Sequence, residues 1–312
     1  MIRKIVFMGT ADFAVPSLDA LLKAGFEVPV VVTVPDKPAG RGKKPKPSPV
    51  KDYALKHDLP VLQPEKLKDP GFIRELEKLN ADCYVVVAFR ILPEKVFAIP
   101  EFGTINLHAS LLPSYRGAAP IQRAIMNGEQ ETGATTFLID PSVDTGNILL
   151  QCSTSIEKNE TAGELHDRLM VQGADLVVET VQKYPQELKP RAQQEGNFPH
   201  APKITKEDAM IDWTQDAYKV HNQIRGLSPV PGAWCWLDNK RLKILKTSIK
   251  KDTELSPGEL KITPNQPPVV GTGSSESLYL DQVKPEGRKE LDGAAFVRGY
   301  NPEGKQLKSP GI

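Results

Sequence analysis

Three polar residues near the middle of the chain lie at the end of an apolar run or in the loop after one. Asn106 and His108 end the run 103–108, and Asp144 lies in the loop 140–146 after the next run. Because side chains alternate along a β-strand, Asn106 and His108 project from the same face of the first predicted strand. Asp144 can approach them from the neighbouring loop. We therefore expect an amide, an imidazole and a carboxylate to share one active site.

The three groups favour one class of chemistry. Neutral imidazole accepts or relays a proton near neutral pH, and an adjacent carboxylate stabilises the imidazolium. A side-chain amide donates a hydrogen bond to a carbonyl oxygen that is gaining charge. Together they suit acyl transfer to an amine, whose own lone pair makes an enzyme nucleophile unnecessary. Ser110 is a nucleophile only in principle, because it lies two residues after His108 and lacks the Gly-x-Ser-x-Gly elbow.

Length and composition limit the classes of protein. A chain of 312 residues favours two domains, and 40 Lys and Arg against 39 Asp and Glu leave the overall charge uninformative about partners. The apolar run at the amino terminus is too short for a signal peptide, and no uncharged apolar segment could span a bilayer. Cys83, Cys152 and Cys235 are widely spaced and lack a metal-ligand pattern. We expect reduced core thiols, no metal and a cytoplasmic location.

The order of the predicted elements indicates an α/β fold. The first strand, helix and strand form a βαβ unit, which implies a parallel sheet. Strands are expected at 4–8, 28–34, 59–62, 82–88 and 103–108, with a hairpin at 134–139 and 146–155. Helices are expected at 17–24, 50–57, 71–79, 119–127 and 161–183, the last with a capping box of Thr161 and Glu164. The chain has neither a G-x-G-x-x-G fingerprint nor a phosphate loop, so Gly9 predicts only a tight turn.

The composition changes after the long helix. Residues 184–202 are polar and rich in proline, which is typical of a linker over the surface. Five short alternating runs follow, and they predict a small closed β-barrel. The runs lie at 232–237, 242–248, 258–262, 268–272 and 277–282. We predict a catalytic domain at 1–189, a linker at 190–207 and a barrel domain at 208–312.

Two basic clusters contain no acidic residue. The first is interleaved with proline and glycine, which predicts an exposed, partly mobile loop that is either a solvated surface or an anion-binding arm. The second lies in the predicted barrel, where lysines either protect an edge strand or bind a polyanion. Their presence in both domains favours a polyanion that touches each. The clusters are Lys37, Arg41, Lys43, Lys44, Lys46 and Lys51, and Lys240, Arg241, Lys243, Lys246, Lys250 and Lys251.

Several motifs resemble those of the methionyl-tRNA formyltransferases. Asn-Leu-His at 106–108 and Asp-Thr-Gly at 144–146 are typical of folate-dependent formyltransferases in general, whereas the motifs in the carboxyl-terminal part are similar to the tRNA-acting branch. The resemblance covers the whole chain, through 9–14, 106–120, 144–146, 206–213, 224–234 and 291–299. The chain departs from the common pattern with Ala11 where proline is frequent and with Ala88-Phe89-Arg90 where many members have Ala-Tyr-Gly.

The resemblance implies a Rossmann-like formyltransferase domain with a mostly parallel sheet, followed by an OB-type β-barrel. It implies transfer of formyl from 10-formyltetrahydrofolate to the α-amino group of methionine on initiator tRNA. We expect the protein to be a monomer. Asn106 would polarise the formyl oxygen, His108 would assist proton removal, and Asp144 would orient that chemistry. The implied folate site comprises Phe89, Arg90, Ile91, Leu92, Ser110, Leu111, Leu112 and Pro113. The implied tRNA contacts are Arg41, Lys43, Lys44, Lys203 and Lys206.

Three alternatives stay open. The first is a formyltransferase for a small amine such as a nucleotide sugar or glycinamide ribonucleotide, which would need neither basic cluster. The second is an RNA-binding module without chemistry, which the complete set of Asn106, His108 and Asp144 disfavours. The third is a nucleotide-dependent oxidoreductase, which the missing glycine fingerprint disfavours.

Overall fold

The computed structural model describes residues 1–39, 44–251 and 253–309, and the chain forms two compact units. The first unit contains Met1–Gly117, Gly133–Thr154 and His166–His200, and the second contains Ala118–Thr132, Ser155–Leu165 and Ala201–Ile312. Two segments that we assigned to the catalytic domain therefore group with the second unit. The boundaries at 189 and 207 remain predictions. Among the described residues, no helix is long and apolar enough to cross a membrane.

The described residues form eight α-helices and seventeen β-strands. The helices are α1 (Val15–Lys23), α2 (Pro49–Lys56), α3 (Pro70–Lys78), α4 (Glu94–Phe97), α5 (Pro120–Met126), α6 (Ala162–Lys183), α7 (Ala217–Leu227) and α8 (Gly293–Tyr300). The strands are β1 (Ile5–Gly9), β2 (Val31–Val32), β3 (Lys37–Ala39), β4 (Lys44–Lys46), β5 (Val61–Leu62), β6 (Cys83–Val87), β7 (Thr104–His108), β8 (Arg116–Gly117), β9 (Glu131–Leu138), β10 (Ile148–Ser155), β11 (His200–Ala201), β12 (Ala233–Leu237), β13 (Lys240–Lys250), β14 (Leu260–Lys261), β15 (Val269–Gly271), β16 (Ser277–Pro285) and β17 (Leu291–Asp292).

A seven-stranded sheet organises the first unit, in the order β10-β9-β7-β6-β1-β2-β5. The pairs β1/β2, β1/β6, β2/β5 and β6/β7 are parallel, and β7/β9 is antiparallel. Strands β1 and β6 are buried at every residue, because helices cover both faces of a parallel sheet. The predicted α/β class, the mostly parallel sheet and the hairpin at its edge are confirmed.

Side-chain caps fix where several helices begin. The Ser48 hydroxyl accepts from the amide of Lys51 at 3.1 Å, and Pro49 supplies the preset first turn of α2. At α6 the Thr161 amide donates to the Glu164 carboxylate at 2.9 Å, and the Glu164 amide donates back to the Thr161 hydroxyl at 3.3 Å. The predicted capping box is confirmed.

The first basic cluster differs from the predicted loop. Strands β3 and β4 form a two-stranded antiparallel ribbon in which Pro38 lies opposite Pro45. Both strands of a two-stranded ribbon are edge strands. Proline is tolerated there because its nitrogen, which cannot donate a hydrogen bond, can face away from the partner strand. Arg41 and Lys43 lie outside the described residues, and Lys44 is the first residue of β4.

An antiparallel sheet organises the second unit, in the order β12-β13-β16-β15-β14 with β17 beside β16. All five predicted runs are strands. Their inward side chains pack with those of α7 and α8 around Trp213 and Phe296, which are almost completely buried. Helix α8 was not predicted, although Asp292 caps it by accepting from the Ala295 amide at 2.7 Å. An OB-type closure of the sheet remains a prediction.

Candidate active site

Strand β7 carries two of the three predicted catalytic side chains. It lies between β6 and β9, and the register places Asn106 beside Val86 on one side and Phe137 on the other. His108, two residues later, ends the strand on the same face. The Asn106 amide makes no side-chain hydrogen bond to any other described residue, so its N–H groups are available to a ligand.

One nitrogen of the His108 ring is bonded to the backbone. Nε2 lies 2.8 Å from the carbonyl oxygen of Tyr115, and the side chain is only 7% exposed. A carbonyl can only accept, so Nε2 carries the proton and donates it. Nδ1 of the neutral ring then holds the lone pair. The ring is therefore oriented to take up a proton at Nδ1.

The Asp144 carboxylate lies opposite that nitrogen. Its Oδ2 is 3.7 Å from His108 Nδ1 and accepts from the backbone amide of Gly117 at 2.9 Å. Asp144 has a left-handed backbone with φ of +57°. Gly146 must follow it, because a Cβ there would overlap the carbonyl oxygen of Leu138. The structure thus brings His108 and Asp144 together, as the sequence predicted.

A glutamine that we did not predict supports the Asp144 loop. Gln193 Nε2 donates to the carbonyl oxygens of Asp144 and Gly146, each at 2.9 Å. Arg116 donates to Gln193 Oε1 from Nε at 3.0 Å and from Nη2 at 2.6 Å. Gln193 lies in the predicted linker, where no periodicity or motif marks it.

Ser110 is engaged in a way that disfavours a nucleophilic role. Its hydroxyl is fully buried and donates to the carbonyl oxygen of Ser114 at 2.7 Å. Thr135 Oγ1 donates to the carbonyl of Ser110 at 2.6 Å and accepts from the amide of Leu112 at 3.1 Å. These bonds hold the loop after β7 in place. Leu111 and Pro113 of that loop are half-buried.

The segment after β6 is the other part of the implied folate site. Ile91 is 78% exposed, whereas Leu92 is buried and Phe89 half-buried. Arg90 donates to the carbonyl oxygens of Pro64 at 2.9 Å and Glu65 at 3.1 Å, and burial lowers its pKa. The guanidinium therefore braces a neighbouring loop, and the exposed apolar surface at this position belongs to Ile91.

The basic residues of the second unit fall into two sets. Lys203 and Lys206 are exposed. In the cluster on β13, Lys243 donates to the carbonyl of Pro231 at 2.6 Å, Lys246 pairs with Glu164 at 2.6 Å and Lys250 donates to the Tyr279 hydroxyl at 3.0 Å. Arg241 lies 4.2 Å from the ring centre of Trp234. Much of this cluster is therefore bonded within its own unit.

All three cysteines are free thiols. Cys83 and Cys235 are buried free thiols, and burial raises the pKa of each. Cys152 is a half-buried free thiol. Across residues 1–39, 44–251 and 253–309, no group of three or more His, Cys, Asp or Glu side chains could hold a metal ion.

Comparison with known proteins identifies the family. The family model described as formyl transferase matches residues 3–181, and the model of the formyl transferase C-terminal domain matches 203–301. A methionyl-tRNA formyltransferase of Pelotomaculum thermopropionicum is 45% identical over 305 residues, which cover 96% of this chain and 97% of that protein. The chain belongs to the methionyl-tRNA formyltransferase family. A second methionyl-tRNA formyltransferase, from Azobacteroides pseudotrichonymphae, is 53% identical over 74% of each chain.

Solved structures share the fold of this formyltransferase. An N-formyltransferase of Helicobacter canadensis, in complex with folinic acid and dTDP-3-aminofucose, superposes with a TM-score of 0.68 at 22% identity and covers 90% of this chain and 99% of its own. A phosphoribosylglycinamide formyltransferase of Bacillus halodurans superposes with a TM-score of 0.50 at 23% identity over 59% of this chain and 96% of its own. At such identities the superpositions support the fold alone.

Proposed function

We propose that this protein transfers the formyl group of 10-formyltetrahydrofolate to the α-amino group of methionine on initiator tRNA. The arrangement of Asn106, His108 and Asp144 carries the chemistry. The Asn106 side-chain amide has no hydrogen-bond partner among the described residues. The contact of Nε2 with a backbone carbonyl leaves Nδ1 of His108 as the basic nitrogen, and Nδ1 faces Asp144. An oxygen-stabilising donor and a proton acceptor thus lie on one strand. The proposed acceptor, methionine-charged tRNA, is the one named for the relatives that are 45% and 53% identical to this chain.

Each of the three side chains has a role in the proposed reaction. Folate supplies an activated formyl group. Asn106 donates a hydrogen bond to the formyl oxygen as it gains charge, and His108 takes a proton from the attacking amine at Nδ1, where Asp144 stabilises the imidazolium. The new bond joins the amine nitrogen to the formyl carbon, and the bond from that carbon to the folate nitrogen breaks. The proton that the amine loses balances the one that the folate nitrogen gains.

The residues around β6 and β7 suit a folate. The exposed Ile91 side chain offers an apolar surface, and residues 110–113 form a firmly bonded loop beside His108. We place the folate against Phe89, Ile91, Leu92, Ser110, Leu111, Leu112 and Pro113. The Arg90 guanidinium already bonds two carbonyls, so the proposed contribution of this residue is its backbone.

The tRNA contacts are proposed from charge. Arg41, Lys43 and Lys44 lie in an acid-free stretch, and Lys203 and Lys206 are exposed cations in the second unit. Contacts between Lys or Arg side chains and phosphates weaken as the salt concentration rises, because salt cations compete for the phosphates. We place the protein in the cytoplasm, where charged tRNA and folate are present, and propose that it acts as a monomer.

The decisive assay measures formyl transfer to several acceptors. Methionine-charged initiator tRNA, uncharged tRNA, free methionine and glycinamide ribonucleotide are each offered with 10-formyltetrahydrofolate at low and moderate salt. We expect formylation of the charged tRNA alone, with a rate at subsaturating tRNA that falls as salt rises. Transfer to a small amine without salt dependence would contradict the proposed acceptor and leave the formyltransferase chemistry in place.

A further inference from the structure

The connection between β7 and α5 touches both catalytic partners. The Tyr115 carbonyl accepts from His108 Nε2 at 2.8 Å, and the Gly117 amide, two residues later, donates to Asp144 Oδ2 at 2.9 Å. Arg116, between them, donates twice to Gln193. Three consecutive residues therefore set the distance between the imidazole and the carboxylate.

The Gln193 amide joins this connection to the other side of the pair. Its two N–H groups bond the carbonyls of Asp144 and Gly146, and its oxygen accepts both bonds from Arg116. Two donors and two lone pairs are the full capacity of a side-chain amide. Every polar atom of Gln193 is thus used to tie the Asp144 loop to Arg116.

The Asp144 backbone needs such support. With φ of +57°, a residue with a side chain occupies a region that costs free energy unless its surroundings hold it there. Gln193 bonds the carbonyl of Asp144 itself and that of Gly146. Loss of these bonds would let the loop relax, and Oδ2 would leave its place opposite His108 Nδ1.

We propose that Gln193 is a positioning residue: with Arg116, it fixes the Asp144 loop so that the carboxylate stays opposite His108. This inference rests on the proposed function, because it assigns Gln193 a part in the formyl-transfer step. All four hydrogen bonds of Gln193 go to Arg116 and to the carbonyls of Asp144 and Gly146, so it acts through the backbone of the loop.

The test compares variants at two adjacent glutamines. Gln193→Ala removes all four bonds, whereas Gln193→Glu keeps an acceptor for Arg116 but turns a carboxylate towards two carbonyls. Exposed Gln194 provides matched controls, Gln194→Ala and Gln194→Glu. For both Gln193 variants we expect kcat to fall about tenfold with KM for folate and tRNA changed less than about threefold, because geometry is lost and binding is kept.

A second readout reports the loop without any assay of activity. Hydrogen exchange of the Gly117 amide measures its bond to Asp144, and we expect faster exchange in the Gln193 variants than in the Gln194 variants. Wild-type kcat in Gln193→Glu, or equal exchange at Gly117 in all four variants, would overturn the proposal. If the wild-type protein formylated no charged tRNA but Gly117 exchange changed as expected, the proposed function would fail while the support of the loop stood.

Discussion

Two buried histidines, one in each unit, have similar surroundings and different proposed roles. His108 is 7% exposed and His221 is 4% exposed, and each places Nε2 against a backbone carbonyl, that of Tyr115 at 2.8 Å and that of Lys158 at 3.2 Å. Nδ1 of His221 is hydrogen-bonded to the Thr247 hydroxyl at 2.8 Å, whereas Nδ1 of His108 faces Asp144 beyond hydrogen-bond distance, at 3.7 Å.

The neighbouring asparagines repeat this contrast. Asn222, next to His221, accepts from Arg225 Nε at 2.8 Å, and Arg225 also donates to the carbonyls of Glu157 and Glu160. Asn106 has no such partner among the described residues. A buried imidazole and a nearby amide are thus common to both regions, and only the proposed active site leaves the amide without a hydrogen-bond partner among the described residues. Both ring nitrogens of His221 are hydrogen-bonded, so we expect this residue to serve the fold.

The largest expected effect is the difference in kcat between variants of the two asparagines. Asn106→Ala removes the proposed donor to the formyl oxygen, and we expect kcat to fall by about 10²–10³-fold. Asn222→Ala is the matched change in the second unit and should leave kcat within about threefold of wild type, because the hydrogen bond it removes joins two side chains of α7. Both rates are measured with charged tRNA and folate saturating. A similar loss in both variants would contradict the contrast between the regions.

The reverse effect is expected on stability. His221→Phe keeps an aromatic ring but leaves the Thr247 hydroxyl and the Lys158 carbonyl without their partner, which should lower the free energy of unfolding by about 1–3 kcal/mol. The turnover of the folded variant should stay close to wild type.

A double variant sharpens the assignment. Replacing both partners with apolar groups is less costly than leaving one unpaired, so His221→Phe with Thr247→Val should recover part of the lost stability in denaturant titrations. No recovery would mean that the cost of His221→Phe comes from packing.

The pH dependence of stability gives the smallest signal. Burial lowers the pKa of His221 from its usual 6.5; the Lys158 carbonyl opposes this shift and the Arg225 charge adds to it. As the pH falls, His221 of the unfolded chain therefore binds its proton at a higher pH than His221 of the folded chain does. The stability contributed by the neutral ring is complete above about pH 6.5 and is lost towards the folded pKa. Denaturant titrations from about pH 7 to 5 should show a smaller loss in His221→Phe than in wild type; equal losses would contradict a depressed pKa.

Much of the fold follows from local pattern. Continuous apolar runs predicted β1 and β6, alternation predicted β12, β13 and β16, and the Thr161 and Glu164 pair predicted the start of α6. Such signals lie within a few residues of each other. The pairing of β3 with β4 and the grouping of Ala118–Thr132 with the second unit depend on contacts between distant residues, which local pattern does not contain.

The candidate site divides in the same way. The strand period placed Asn106 and His108 on one face, and a glycine-bounded loop indicated Asp144. Gln193 lies 49 residues after Asp144 and acts through backbone carbonyls, so neither its type nor its spacing marks it. The bonds of Arg90 to Pro64 and Glu65 could not be predicted either, because every residue has a backbone carbonyl and its type does not mark it as an acceptor.

The most direct test of this account is the single-turnover rate of formyl transfer to methionine-charged initiator tRNA. Wild type, His108→Ala and His221→Ala are each saturated with tRNA and folate, and the binding of both is measured separately. We predict a chemical step slower by about 10²-fold in His108→Ala alone, with both reactants still bound. An unchanged chemical step in His108→Ala, or an equal loss in folded His221→Ala, would contradict the assignment of the active site.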